Sequence, residues 1–472
     1  MNFRAARRWW WSVMVFDVLK FLFICLEVVF IFNLLIVVHE WGHFLAARWR
    51  GLKVEKFAIW FGKPIWSKTI NGVEYRLGSI PAGGFVAIPQ LAPMETLEGE
   101  SAESLESLPP VKPLDKIIVA AAGPVFSLGL AFVMACLVWG VGKPQSEFDT
   151  TVIGYVREGG PAAEAGLRVG DRIVAVDGKP VKHFVTGTDS VKWRIVRSEG
   201  EKIPFTVERN GQLITLDSGW TKPETSSWRR PALREVQIGP RVVPGVGFVV
   251  RGSLADKAGF HAGDLVTAIQ GTPVFNLSDL GPVIDAHRGQ DVAFTVERDG
   301  NPVSLSMTLP SATADAAPID FGIEWGRTAL VHPDPFTQVR DAATSIFRMV
   351  GALISPASDV KAAHFSGPVG IMRLYYQIFE SENGWRIALA FSVLINVNLA
   401  LLNLLPFPVL DGGHITLALI EAVRRKPIST RVLEAVQTAC ALALVGFMLY
   451  LTFYDVGDIV ASGSTPVAES KK

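Results

Sequence analysis

Four stretches of this chain are too long and too apolar for an ordinary soluble fold: about Phe16–Ala47, Ile117–Gly142, Ile387–Leu410 and Ala435–Tyr454. The last three contain no Asp, Glu, Lys or Arg, and the first carries only Glu27 and Asn33 between Phe21 and Val38. A helix needs about 20 apolar residues to cross a bilayer core, so each stretch predicts a transmembrane helix, over residues 17–50, 113–142, 385–414 and 432–456. Residues 1–16 form an N-terminal extension and 457–472 a C-terminal tail. The opening "MNFRAARRWWW" looks like a signal peptide, but the segment behind it carries candidate chemistry, so it reads as a retained anchor. Its Trp and Arg suit an amphipathic interfacial arm.

Charge sets the orientation and removes one class of partner. The 45 basic and 45 acidic residues cancel, so nothing points to nucleic acid. Basic residues cluster between the first two spans (Arg48, Arg50, Lys53, Lys56, Lys63, Lys68, Arg76, Lys112, Lys116) and between the last two (Arg424, Arg425, Lys426, Arg431). Both connections are therefore expected on the cytoplasmic side. Arg4, Arg7, Arg8, Lys471 and Lys472 fall on the opposite side, the first three against the rule. Cys25, Cys136 and Cys440 each lie in an apolar stretch and read as packing residues, not as a disulfide framework.

The first span ends in "LLIVVHEWGHFLAARW". On a helix His39 and His43 are one turn apart and project from one face, the spacing at which two imidazoles bind one zinc ion. Glu40 lies about 100° around the helix, free of a ligand position and suited to general-base work. A transporter or an idle scaffold would not need that base. No third histidine follows nearby. The candidate third ligand is Asp411 in "NLLPFPVLDGGHITL" (403–417), a carboxylate closing the charge-free third stretch, where such a group is costly and by default functional.

Between the second and third spans the sequence repeats. "GGPAAEAGLRVGDRIVAVDGKPV" (159–181) matches "RGSLADKAGFHAGDLVTAIQGTPV" (251–274), pairing Gly166 with Gly259, Asp171 with Asp264 and Gly178 with Gly271. "FTVERNG" (205–211) recurs as "FTVERDG" (294–300) at an offset four residues shorter. Two modules, 150–235 and 236–312, are expected, each with strands around a Gly turn and a short helix closed by glycine. The arrangement resembles the circularly permuted PDZ domain of bacterial proteases, a module that adds extended peptide to a sheet edge. Beyond it, residues 333–355 show apolar positions at helical spacing, from Phe336 through Val339, Ala343 and Ile346 to Val350 and Leu353. An interfacial amphipathic helix is expected there.

Taken together, "VVHEWGHFLAAR", "NLLPFPVLDGGH", "FGKPIW", "PAGGFVAI", "AAAGPVFSLGLA" (120–131) and "FSGPVGIM" (365–372) resemble the intramembrane zinc metalloproteases of the site-2 protease family, in its bacterial RseP type with tandem PDZ domains. The resemblance implies an α-helical polytopic membrane protein with four transmembrane helices, a membrane-associated β-hairpin within 51–112, and two inserted α+β PDZ domains. It implies one Zn2+ per chain held by His39, His43 and Asp411, with Glu40 as catalytic base. Asn403 and Pro406 fall on the family's Asn-x-x-Pro positions, which hold substrate near the metal. Gly83 and Gly84 lie where an unwound substrate segment would pair with the hairpin. His414 is expected to support the site without ligating. The implied partners are lipid and single-span membrane proteins, such as anti-sigma factors or remnant signal peptides, already trimmed by a site-1-type protease. The implied location is the bacterial inner membrane, with periplasmic PDZ domains and the active site near the cytoplasmic side.

Overall fold

The computed structural model describes residues 3–91, 111–146, 150–225, 229–311, 319–326, 328–381, 383–425 and 430–463. Lys426, Lys471, Lys472, the loop 92–110 and the tail beyond Gly463 lie outside them, as do the side chains of Arg4, Arg7, Arg8 and Arg431. The chain divides into two compact units. The first comprises Met1–Lys143, His332–Ile346 and Phe365–Lys472, and the second comprises Pro144–Val331 and Phe347–His364.

In chain order, helix α1 (Phe3–Trp49) leads to strands β1 (Lys56–Phe61), β2 (Trp66–Ile70), β3 (Val73–Leu77) and β4 (Ile80–Ala87), then to α2 (Pro113–Val141). The first repeat follows as β5 (Lys143–Ser146), β6 (Ile153–Val156), α3 (Pro161–Glu164), β7 (Arg172–Val176), β8 (Lys179–Pro180), α4 (Val191–Arg197), β9 (Ile203–Arg209), β10 (Gln212–Ser218) and β11 (Ile238–Pro240). The second is β12 (Val246–Val249), α5 (Leu254–Ala258), β13 (Leu265–Ile269), β14 (Thr272–Pro273), α6 (Leu280–Ala286), β15 (Asp291–Arg298), β16 (Asn301–Thr308) and β17 (Ile323–Trp325). Strand β18 (Thr328–Val331) pairs with β5. Helices α7 (Pro335–Ile354), α8 (Pro368–Glu380), α9 (Gly384–Asn403), α10 (Asp411–Arg424) and α11 (Thr430–Gly463) complete the chain.

Four helices in the first unit are long and apolar enough to cross a membrane: Val18–Trp49, Pro113–Val141, Gly384–Asn403 and Ala435–Val460. Large apolar side chains remain exposed along them, including Phe23, Leu26, Phe30, Val133, Leu442 and Leu449. Such a surface suits lipid, and the chain is a polytopic membrane protein. Several polar groups inside this unit pair with one another. Asp455 of α11 accepts hydrogen bonds from the Gly367 and Gly370 backbone amides at 3.0 and 2.8 Å, closing the N-terminal end of α8. Tyr375 and Ser392 join α8 to α9 through their hydroxyls, 2.8 Å apart.

Three expectations about this unit are corrected. The third apolar stretch is not one helix to residue 414: α9 stops at Asn403, and Asp411 opens the separate helix α10. Pro406 and Pro408 explain the break, since each lacks an N–H and disfavours helix in the residue before it. The connection between the last two spans accordingly contains a helix, α10. The expected hairpin is a four-stranded sheet in the order β2-β3-β1-β4, with β1 and β3 parallel. Gly83 and Gly84 lie within β4. Residues 3–16 continue into the first span as one helix rather than forming a separate arm.

The second unit shows the repeat as architecture. Each module carries a four-stranded sheet, β10-β9-β7-β8 in the first and β14-β13-β15-β16 in the second. A shorter pair flanks each sheet, β6 with β11 and β12 with β17. Both cores outrun the expected boundaries of 235 and 312, because β11 and β17 supply Ile238 and Trp325 to them. The four-residue difference between the copies sits in one loop: ten residues separate β8 from α4 and six separate β14 from α6. Asn276 ties the modules together. Its Nδ2 donates to the Gly154 carbonyl, and its Oδ1 accepts the Val242 amide at 2.9 Å. The second half of α7 packs Met349 and Ala352 against Val196, Trp193 and Leu233 of the first module.

One ion pair is built twice. Arg209 grips Asp171 with Nε and Nη2 at 2.6 and 2.7 Å and also donates to the Gly166 carbonyl at 2.7 Å. Arg298 does the same to Asp264 at 2.7 Å through both nitrogens, and to the Gly259 carbonyl at 2.8 Å. Burial opposes ionisation of Asp264, but hydrogen bonds from Arg298 and the His261 N–H outweigh it, so the carboxyl stays below the usual range. A carboxyl lowered in the folded state contributes stability above its unfolded pKa, about 3.9. That contribution fades as pH falls through the folded value. Arg298→Ala is expected to cost about 3–5 kcal/mol, because it strands a buried carboxylate. Hydrogen exchange of β13 and β15 should rise at neutral pH, and the difference from wild type should shrink as the pH is taken below about 4.

Candidate metal centre

The site is assembled on one face of α2. Val119, Gly123 and Ser127 follow one another at four-residue spacing, so they stack along that face and meet the histidine-bearing turn of α1. The Nδ1 of His43 lies 2.8 Å from the Val119 carbonyl oxygen. A carbonyl only accepts, so this ring carries its proton on Nδ1 and presents the Nε2 lone pair inward. The Nδ1 of His39 is 2.9 Å from Ser127 Oγ, a fully buried hydroxyl. Both rings are thus oriented from behind, as metal-binding histidines commonly are.

Asp411 reaches the same point from the first turn of α10. That turn is tucked under the preceding loop: a β-carbon on Gly412 would sit 2.2 Å from the Leu404 carbonyl oxygen, and one on Gly413 2.0 Å from that of Phe407. Only glycine fits this approach, which explains the Asp-Gly-Gly sequence. Salt bridges fasten these helices close by. Arg50 meets Asp115 at 2.6 Å between α1 and α2, and Lys116 meets Glu421 at 2.7 Å between α2 and α10.

His39, His43 and Asp411 form a set that can hold a metal ion. The two Nε2 atoms are 3.3 Å apart, with Asp411 Oδ2 3.2 Å from one and Oδ1 3.4 Å from the other. Donors placed tetrahedrally at the roughly 2.0–2.1 Å of a zinc–nitrogen bond lie about 3.3–3.4 Å apart. Asp411 Oδ2 is buried and lacks a hydrogen bond of sound geometry despite its nearness to His39. Lone pairs facing one another without protons between them call for a cation. Gly123 leaves the room for it, since a β-carbon there would fall 2.2 Å from His43 Nε2 and 2.8 Å from His39 Nε2.

The remaining sequence candidates distribute around this centre. Glu40 is half-buried beside β4, where a β-carbon on Gly84 would come within 3.2 Å of Glu40 Cγ. Gly83, at φ +72°, precedes it in the strand. Asn403 ends α9 with its Nδ2 3.5 Å from His39 Nε2. Pro406 lies in the exposed loop between α9 and α10. His414 is half-buried in α10 and outside the converging set. Sequence reading singled out neither Ser127, Gly123 nor the Val119 carbonyl. The four-residue spacing of Gly123 and Ser127 within "AAAGPVFSLGLA", with Val119 just ahead of it, was the available signal.

The sequence profile of peptidase family M50 matches residues 27–447. The chain belongs to this family and is an intramembrane zinc metalloprotease. Among its relatives is the regulator of sigma-E protease RseP of Escherichia coli K12, 30% identical over 466 residues, covering 93% of this chain and 99% of that protein. The RseP of Salmonella typhimurium is 30% identical over 456 residues, covering 90% and 96%. A Neisseria meningitidis serogroup A protein that carries the name zinc metalloprotease NMA0084 is also 30% identical, covering 90% and 97%.

Gly123→Ala and Asp411→Asn are each expected to abolish zinc content by elemental analysis while leaving the helical circular dichroism unchanged. Ser127→Ala should weaken zinc affinity by about 10–100-fold, the usual cost of removing a group that orients a ligand.

Proposed function

We propose that this protein cuts the transmembrane segments of single-span membrane proteins, with His39, His43 and Asp411 as ligands of one zinc ion and Glu40 as catalytic base. The observation that carries the reading is a tetrahedrally spaced donor set within the membrane-spanning unit, next to a glutamate and an open strand edge. When bound there, zinc supplies a Lewis acid and lowers the pKa of water toward about 7.

The chain's own residues supply the rest. Glu40 takes the proton of the attacking water as the C–O bond forms and returns it to the leaving amine nitrogen as the C–N bond breaks. A substrate helix must unwind before it can be cut, and its freed amides and carbonyls then need partners in a medium without water. β4 is an edge strand in the order β2-β3-β1-β4 and runs past Glu40. An unwound segment gains backbone partners by adding to it. The Asn403 amide, close to His39, is suited to hold the substrate carbonyl, and Pro406 keeps that loop out of helix.

The two modules of the second unit act as periplasmic PDZ domains and, with α7 as an interfacial support, exclude substrates with bulky extracytoplasmic parts. The substrates are then pre-trimmed by a site-1-type protease, and anti-sigma factors or remnant signal peptides are the classes we favour. The naming of a relative as a regulator of sigma-E protease supports the former. The basic connections around α1 and α10 support an inner-membrane location with the active site near the cytoplasmic side.

Glu40→Gln is expected to abolish cleavage of a single-span substrate while retaining zinc, and a chelator should silence the wild type. Equal cleavage in all arms would overturn the reading. Removing residues 150–325 should admit untrimmed substrates, and unchanged selectivity on a gel of paired long and short substrates would reject the filter.

A further inference from the structure

Asn33 is a polar residue within the first span that the metal centre does not use. Its Nδ2 donates to the Val29 carbonyl at 2.6 Å, which turns Oδ1 to accept the indole N–H of Trp60 on β1. Trp60 sits at φ 69°, a left-handed conformation that a bulky residue keeps only when its surroundings hold it there. At this residue the pairing of β1 with β4 shifts: Ile59 faces Gly84, whereas Phe61 faces Ile80. The strained tryptophan is thus the corner of a bulge.

The place of this corner gives it meaning. Asn33 precedes Glu40 by two helical turns and lies on nearly the same face, about 10 Å along the axis. Between them passes β4, where a β-carbon on Gly84 would sit 3.2 Å from both Glu40 Cγ and Ile36 Cγ2. At the far end of β1, Phe57 packs against Trp41 and Phe44 at 5.5 and 5.6 Å. The sheet therefore meets α1 through an apolar cluster around Phe44, Phe57 and Val73 and through the polar contact at Trp60, with Glu40 on the face between them.

We infer that Asn33 and Trp60 are positioning residues that set which peptide bond of a bound strand faces Glu40. The inference rests on the proposal that substrate adds to the β4 edge. Apolar packing of the sheet on α1 around Phe44 is non-directional and does not by itself fix how far β4 lies along α1. Successive residues of an extended strand are about 3.3 Å apart and point to opposite faces, so a slip of one residue presents the wrong bond. A bulge held by a hydrogen bond into the span removes that freedom.

The test uses the full chain in proteoliposomes with a single-span substrate, reading kcat, the cut bond by product mass spectrometry, and zinc content. Asn33→Leu removes the acceptor at similar volume, and Trp60→Phe removes the donor but keeps a ring. Trp60→Gly removes the donor and relieves the left-handed backbone. All three are expected to lower kcat on the order of ten- to a hundred-fold and to spread cleavage onto neighbouring bonds, with zinc unchanged. Cleavage of the single wild-type bond at the wild-type rate in any of them overturns the inference, as does activity lost in proportion to zinc. A wild type that cuts no transmembrane substrate refutes the function proposed above and takes the register role down with it; a wild type that cuts while Asn33→Leu cuts identically refutes the register role alone.

Discussion

The architecture of the site depends on the close seating of α1 against the Val119–Gly123–Ser127 face of α2. Imidazoles within a span have no water to orient them, so the neighbouring helix must do so. Val119 does this with a carbonyl at 2.8 Å, Ser127 with a hydroxyl at 2.9 Å, and Gly123 by having no side chain. The same helix also receives α10, through Lys116 and Glu421. Helix α2 is therefore the common reference for the proposed ligands, which come from distant parts of the sequence.

What the sequence made legible follows from how local each signal is. His39 and His43 are one helical turn apart, and Asp411 is a lone carboxylate at the edge of an apolar run, so both stood out. The repeat was visible because Asp171 and Asp264 each need their arginine, Arg209 and Arg298, and a fixed strand geometry around it. Small residues carry no such mark. Nothing in Gly123 or Ser127 says which side chain they admit, and that knowledge required the packing of α1 on α2. Asn33 was visible as a polar exception in its span, but its partner Trp60 lies across a turn of chain and in another kind of element. The break between α9 and α10 was written in Pro406 and Pro408, yet the hydrophobicity around them hid it. Strand β3 ran parallel to β1 for a reason no period-2 pattern reveals, since pairing direction depends on the route of the chain and not on its alternation.

The two units manage polarity in opposite ways. In the membrane-spanning unit several polar groups are paired one to one, Asp455 with the amides of Gly367 and Gly370, Tyr375 with Ser392 and Asn33 with Trp60. In the second unit, buried charges are paired with full guanidinium forks, and the modules meet through the well-satisfied amide of Asn276.

The separation of the proposed ligands along the chain has a consequence for biosynthesis. His39 and His43 emerge early from the ribosome, whereas Asp411 follows only after both modules and the third span. Until α10 is seated against α2 the proposed donor set is incomplete, so a nascent chain that has not reached α10 lacks the proposed centre. On this reading metal binding waits for α1, α2 and α10 to come together and reports the assembly of those three helices, while α11 follows later in the chain.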